Sequence, residues 1–119
     1  MRFLGFVDDM DSLLAAADCV CLPSLSEAMP FAALEAAAAA RPLVASRVGG
    51  LPALVVDEQT GLLVPPAQPA ALAAALRRLA LDRDEGRRLG LAAHRRAQNR
   101  HSCETMLAQS LEVYRRALR

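Results

Sequence analysis

Short uncharged apolar runs alternate along this chain with stretches in which leucine and alanine recur at helical spacing. Apolar runs without polar alternation suit strands buried on both faces, and strands alternating with helical patterns suit a parallel sheet wrapped by helices. Four strands are predicted: Phe3–Val7, Cys19–Leu22, Pro42–Ala45 and Leu62–Val64. Asp8, Asp9 and Asp11 supply acidic residues for a helix start before Leu13–Ala17. Pro30 fits the first turn of a second helix, because its missing N–H is one the helix leaves unpaired anyway, and the Phe31–Ala40 run after it is strongly helix-forming. Gly49-Gly50 marks a turn. Beyond Pro69 every segment reads as helix: Leu72, Leu76 and Leu79 form one stripe, a helix from about Asp84 to Asn99 follows, and Leu107, Leu111, Tyr114 and Leu118 form a second stripe. Both stripes are expected to face the core.

Composition narrows this α/β reading to a single, thin-cored unit. The chain has 119 residues, one domain at most, and its 54% hydrophobic content includes 25 alanines against 3 phenylalanines, 1 tyrosine and no tryptophan. A net charge of +1 points to neither nucleic acid nor an acidic membrane. No signal-like start and no apolar stretch of spanning length are present, so a cytoplasmic location is the default expectation. Cys19, Cys21 and Cys103 form no CxxC pair and are read as reduced, buried thiols, while His94 and His101 are read as surface residues. Arg87, Arg88, Arg95 and Arg96 could hold phosphate or RNA, but no aromatic residue is interleaved, which favours a solvated face.

The most informative chemistry lies between Glu27 and Glu35, two carboxylates with seven residues between them. Glu27 falls on the loop before the second helix and Glu35 on the helix. First-turn amides and the helix dipole make such a loop suited to an anion, and carboxylates accept hydrogen bonds from hydroxyls. A nucleotide-linked sugar carries both features. Without their surroundings, Glu35 would pass for a solvated helix residue and Glu27 for a turn cap.

The surroundings form an ordered series: Phe3-Leu4-Gly5-Phe6-Val7, Ala17-Asp18, Leu22-Pro23-Ser24, Ser26-Glu27 through Glu35-Ala36, Pro42-Leu43-Val44-Ala45-Ser46, Gly49-Gly50-Leu51-Pro52 and Thr60-Gly61-Leu62-Leu63-Val64-Pro65. In this the chain resembles the C-terminal, donor-binding half of a family 4 (group 1) glycosyltransferase of the GT-B fold, from Arg2 to about Ala80. The resemblance implies a truncated Rossmann-like parallel sheet of about four short strands flanked by helices, with an all-helical C-terminal tail. It implies one partial domain over residues 1–119, lacking its first strand-helix units and the N-terminal acceptor domain.

By the same resemblance the function is that of a retaining glycosyltransferase fragment, binding a nucleotide-diphosphate sugar for transfer to an acceptor hydroxyl. Glu27 would be catalytic, contacting the transferred sugar, and Glu35 would accept hydrogen bonds from the ribose. Main-chain amides of Ala28, Met29, Phe31 and Ala32 would hold phosphate and sugar oxygens, and backbone at Val7 would lie beside the base. No metal and no cofactor beyond the donor are implied. The sequence departs from the family's pattern at Ala28, where glycine is frequent, at Ala53, where a glutamate is usual, and at Ala40-Arg41, where a glycine usually precedes Pro42. With half of a two-domain cleft, the chain alone is expected not to be catalytically competent. Its partners would be the donor and either the missing N-terminal half as a separate chain or a second copy. The alternative is an inactive interaction module that pairs through an exposed sheet edge. A nucleotide-sugar epimerase would lack the Ser-Glu to Glu-Ala block, and a dinucleotide-binding domain would carry GxGxxG after a strand.

Overall fold

The computed structural model describes residues 1–119. Its centre is a three-stranded parallel sheet in the order β1 (Val20–Leu22), β2 (Leu43–Ser46), β3 (Leu62–Val64). Val20, Cys21 and Leu22 pair with Leu43, Val44 and Ala45, and Val44, Ala45 and Ser46 pair with Leu62, Leu63 and Val64. All four residues of β2 are buried. Because side chains alternate between faces, Leu43 and Ala45 join Ala33, Leu51, Leu54, Val55 and Leu63 on one side, while Val44 joins Leu62, Val64, Leu79 and Leu89 on the other. α2 (Phe31–Ala38) and α3 (Leu51–Leu54) cover the first side, and α4 (Pro69–Leu81) and α5 (Arg83–Arg100) supply Leu79 and Leu89 to the second. α1 (Met10–Ala16) starts at Asp9, whose carboxylate accepts from the Ser12 amide at 3.0 Å.

Three sequence expectations need correction. Phe3–Val7 forms no strand and makes no backbone hydrogen bond, so the sheet has three strands rather than about four. An apolar run becomes a strand only when a ladder partner and covering layers are present, and here Phe3 and Phe6 remain 88% and 91% exposed. The second leucine stripe does not face the core: α6 (Cys103–Ala117) buries no residue, and Leu107, Leu111, Tyr114 and Leu118 are all exposed. Cys103, at the start of α6, is exposed rather than buried, whereas Cys19 and Cys21 are half-buried and burial pushes their thiols up.

The helix continuing from Phe31 stops at Ala38 by a backbone device. Arg41 N–H donates to Ala36 C=O at 2.8 Å and Ala40 takes a φ of 54°, the left-handed position of a Schellman cap. A left-handed φ is open to glycine at less cost than to alanine. The capped end then packs on α5 at Gly90, where a Cβ would lie 2.9 Å from the Ala40 carbonyl carbon. No helix is long and apolar enough to cross a membrane.

Ala40→Gly is expected to raise stability by about 1 kcal/mol, the left-handed penalty less the extra backbone entropy of glycine. Leu51→Ala, in the core at 0% exposure, should cost about 2–5 kcal/mol, and Leu111→Ala on α6 less than about 0.5 kcal/mol, all read from urea unfolding midpoints.

Candidate functional site

The three strands are parallel, so their carboxyl ends open at one edge, where open α/β sheets take ligands. Three connections leave that edge: residues 23–30 from β1 to α2, 47–50 from β2 to α3, and 65–68 from β3 to α4. The first carries Glu27. It is half-buried, and the Ser24 hydroxyl donates to its Oε1 at 2.7 Å, which pins one carboxylate oxygen and leaves the other free.

Backbone polarity in this connection is unusual. The amides of Ala28 and Met29 donate no hydrogen bond within the chain. Pro30 occupies the N-cap of α2, one residue before the helix, and no side chain caps the helix start. The first-turn amides of Phe31 and Ala32 are therefore left for an outside acceptor, and the first turn holds no acidic residue that would compete. An anion with several oxygens matches this set of donors.

The remaining site candidates are spread more widely than their spacing suggests. Ala28 and Ala32 are exposed and offer only main chain. Met29 and Phe31 line a groove with Ala53, Arg96, Arg100 and Met106, between α2, α3, α5 and the start of α6. Glu35 is exposed on α2, unpaired, at the rim of a second groove with His94, Gln98 and His101 of α5 and its cap. Glu27 and Glu35 thus share no hydrogen bond, each meeting a different neighbour. Val7 lies half-buried in the irregular N-terminal segment.

Several contributors escaped the sequence reading. Ser24 was visible only as part of a block, and its bond to Glu27 spans a single turn that spacing does not announce. Arg96 is not part of a solvated arginine face: it donates to the Ala53 and Leu54 carbonyls at 3.0 and 3.3 Å and so ties α5 to the end of α3. His94 and His101 are half-buried rather than on the surface. His94 Nδ1 lies 2.8 Å from the Ala38 carbonyl, and His101 Nε2 is buried without a partner. Burial, with the positive charges of Arg96 and Arg100, pushes the His101 imidazole below its ordinary range.

Comparison with known proteins identifies the family. Residues 1–82 match the family described as glycosyl transferases group 1. An MMP alpha-(1->4)-mannosyltransferase from Mycolicibacterium hassiacum is 41% identical over 112 residues, covering 93% of this chain and 27% of that protein. A D-inositol 3-phosphate glycosyltransferase from Kineococcus radiotolerans is 47% identical over 111 residues, 87% of this chain and 25% of that protein. Among solved structures, a sucrose-phosphate synthase from Thermosynechococcus elongatus superposes with a TM-score of 0.92 at 36% identity, covering 98% of this chain and 30% of that one. An Anabaena protein solved in complex with UDP superposes with a TM-score of 0.90 at 29% identity, covering 95% of this chain and 31% of that one. The chain therefore spans between a quarter and a third of the length of these relatives.

The lowered His101 range has a consequence for stability. The unfolded chain takes up a proton near pH 6.5 that the folded chain resists, so this contribution is present above that pH and is lost as pH falls through the folded value. Unfolding midpoints should fall as pH drops from about 7 to 5.5, and His101→Gln should flatten that slope.

Proposed function

This chain belongs to the group 1 glycosyltransferases, and from that membership we propose that it is the donor-binding part of such an enzyme, taking a nucleotide-diphosphate sugar at residues 23–35. The observation that carries the reading is the connection after β1. There, unpaired amides of Ala28 and Met29 run into an uncapped helix start beside a carboxylate that Ser24 holds in place. The Anabaena neighbours solved with UDP and with UDP-glucose support it, since each covers 95% of this chain at 29% identity.

In this reading the amides of Ala28, Met29, Phe31 and Ala32 face the diphosphate and sugar oxygens. Glu27 meets the transferred sugar near its reacting carbon, Glu35 the ribose hydroxyls, and the Val7 backbone the base. As the bond between the anomeric carbon and the diphosphate oxygen breaks, negative charge grows on the leaving group. Fixed N–H dipoles stabilise that charge without reorganising, which lowers the barrier. The acceptor hydroxyl bonds to the same carbon with retention, and its proton passes to the departing diphosphate oxygen. Transfer also needs a surface that positions the acceptor, a role that none of the residues named above takes.

A second reading rests on the free edge of β1 and the exposed Phe3, Leu4 and Phe6, which would suit an interaction module pairing with another chain. Isothermal titration with UDP, GDP and ADP separates the two. The donor reading expects saturable binding of one nucleotide, weakened at least tenfold, about 1.4 kcal/mol, by Glu35→Ala. A folded chain that binds none of them, and that self-associates in sedimentation velocity, supports the module instead.

A further inference from the structure

The turn between β2 and α3 lies directly beneath the connection that carries Glu27. A Cβ built on Gly49 would overlap the Glu27 carbonyl oxygen and stand 2.7 Å from its carbon. One built on Gly50 would overlap the Ala28 carbonyl oxygen and stand 3.0 Å from its carbon. Two successive carbonyls thus rest on two successive glycines, in space that any side chain would occupy.

This contact fixes more than the height of the loop. Every peptide bond in the chain is trans, so the C=O and N–H of each peptide unit point in opposite directions. The Glu27 carbonyl shares its peptide with the Ala28 amide, and the Ala28 carbonyl with the Met29 amide. Seating the two carbonyls on the glycine turn therefore aims the two amides away from it, and these are the amides that find no partner within the chain.

The two sides of the contact differ in stiffness. The turn is held by Val48 N–H to Ser46 at 2.9 Å, Leu51 N–H to Val48 at 3.1 Å and Ala53 N–H to Gly50 at 3.1 Å, with Leu51 fully buried behind it. Residues 25–29 donate no backbone hydrogen bond. If something must shift, the loop is what yields.

We propose that Gly49 and Gly50 are positioning residues: they seat the carbonyls of Glu27 and Ala28 so that the amides of Ala28 and Met29 are presented as an oriented pair to the diphosphate of the donor. The proposal rests on the donor reading above and adds to it the element that sets the geometry. Glycine is needed at position 50 for close approach rather than for backbone freedom, because its φ of −79° is open to any residue.

That φ makes Gly50→Ala the clean test, since it adds the clash without left-handed strain. Gly86→Ala is the control: it is a buried glycine of α5 where a Cβ would meet only Pro42 Cγ at an ordinary 3.6 Å. Amide residual dipolar couplings of the full 119-residue chain and both variants are measured first, and each protein is then titrated with UDP. Gly50→Ala should change the couplings of Ala28 and Met29 while leaving those of β2 and α5 in place, and should weaken UDP binding at least tenfold. Gly86→Ala should do neither. Unchanged couplings at Ala28 and Met29 in Gly50→Ala overturn the positioning role whatever the affinity. Changed couplings with equal UDP affinity overturn the use of these amides for the ligand. Changed couplings in a series whose wild type binds no UDP, GDP or ADP uphold the glycine seat and overturn the donor reading.

Discussion

Burial of β2 on both faces is the constraint from which the rest of this structure follows. Leu43, Val44, Ala45 and Ser46 are all buried, and a parallel strand in that position needs a neighbour on each edge and a layer on each face. β1 and β3 meet the first need, and α2 with α3 and α4 with α5 meet the second. With three parallel strands, the connections that follow each strand gather at one end. The candidate site is therefore a by-product of how the core is closed.

α5 shows how one helix ties several elements together. It touches α4 through the core at Leu89, the end of α2 through His94 at the Ala38 carbonyl and the following cap through Gly90 at Ala40, and Arg96 bonds to the carbonyls ending α3. At its other end Arg78 of α4 forms ion pairs with both Glu58 and Glu85; its hydrogen bonds to these carboxylates, then their charge, hold the Arg78 guanidinium above its usual range, and the hydrogen bonds from Arg78 hold the Glu58 carboxyl below its own. Arg78 and Glu58 are open to water and screened by it, so the packing of Leu51, Leu89 and Val44 outweighs these pairs as the source of stability. The ion pairs set register between elements that the core already holds together.

Much of the fold was legible along the chain, and the reason differs element by element. The runs at 20–22, 43–46 and 62–64 became strands because uninterrupted apolar residues flanked by proline or glycine have few other uses. The helix after Pro30 was legible from propensity, yet its end at Ala38 was not, since Ala39 and Ala40 are equally good helix formers and the stop comes from the cap and from contact with Gly90. The Phe3–Val7 run and the α6 stripe misled for a shared reason: periodicity reports which face is apolar and says nothing about whether another element covers it. α3 was hidden because four residues are too short for a period to appear.

At the site the division is sharper. Residue order by itself determined that a carboxylate would stand on a loop before a helix and a second one within it, because both depend on helix propensity and a proline whose φ is fixed locally. Tertiary structure alone decided which way the loop's amides point and which grooves Met29, Phe31 and Glu35 meet. The contact of Gly49 and Gly50 with Glu27 and Ala28 joins positions 22 residues apart in the chain, and it exists only because β1 and β2 are hydrogen-bonded neighbours whose ends emerge side by side. Local preference reaches across one turn of helix; the orientation of a peptide plane against another loop requires the sheet to have formed.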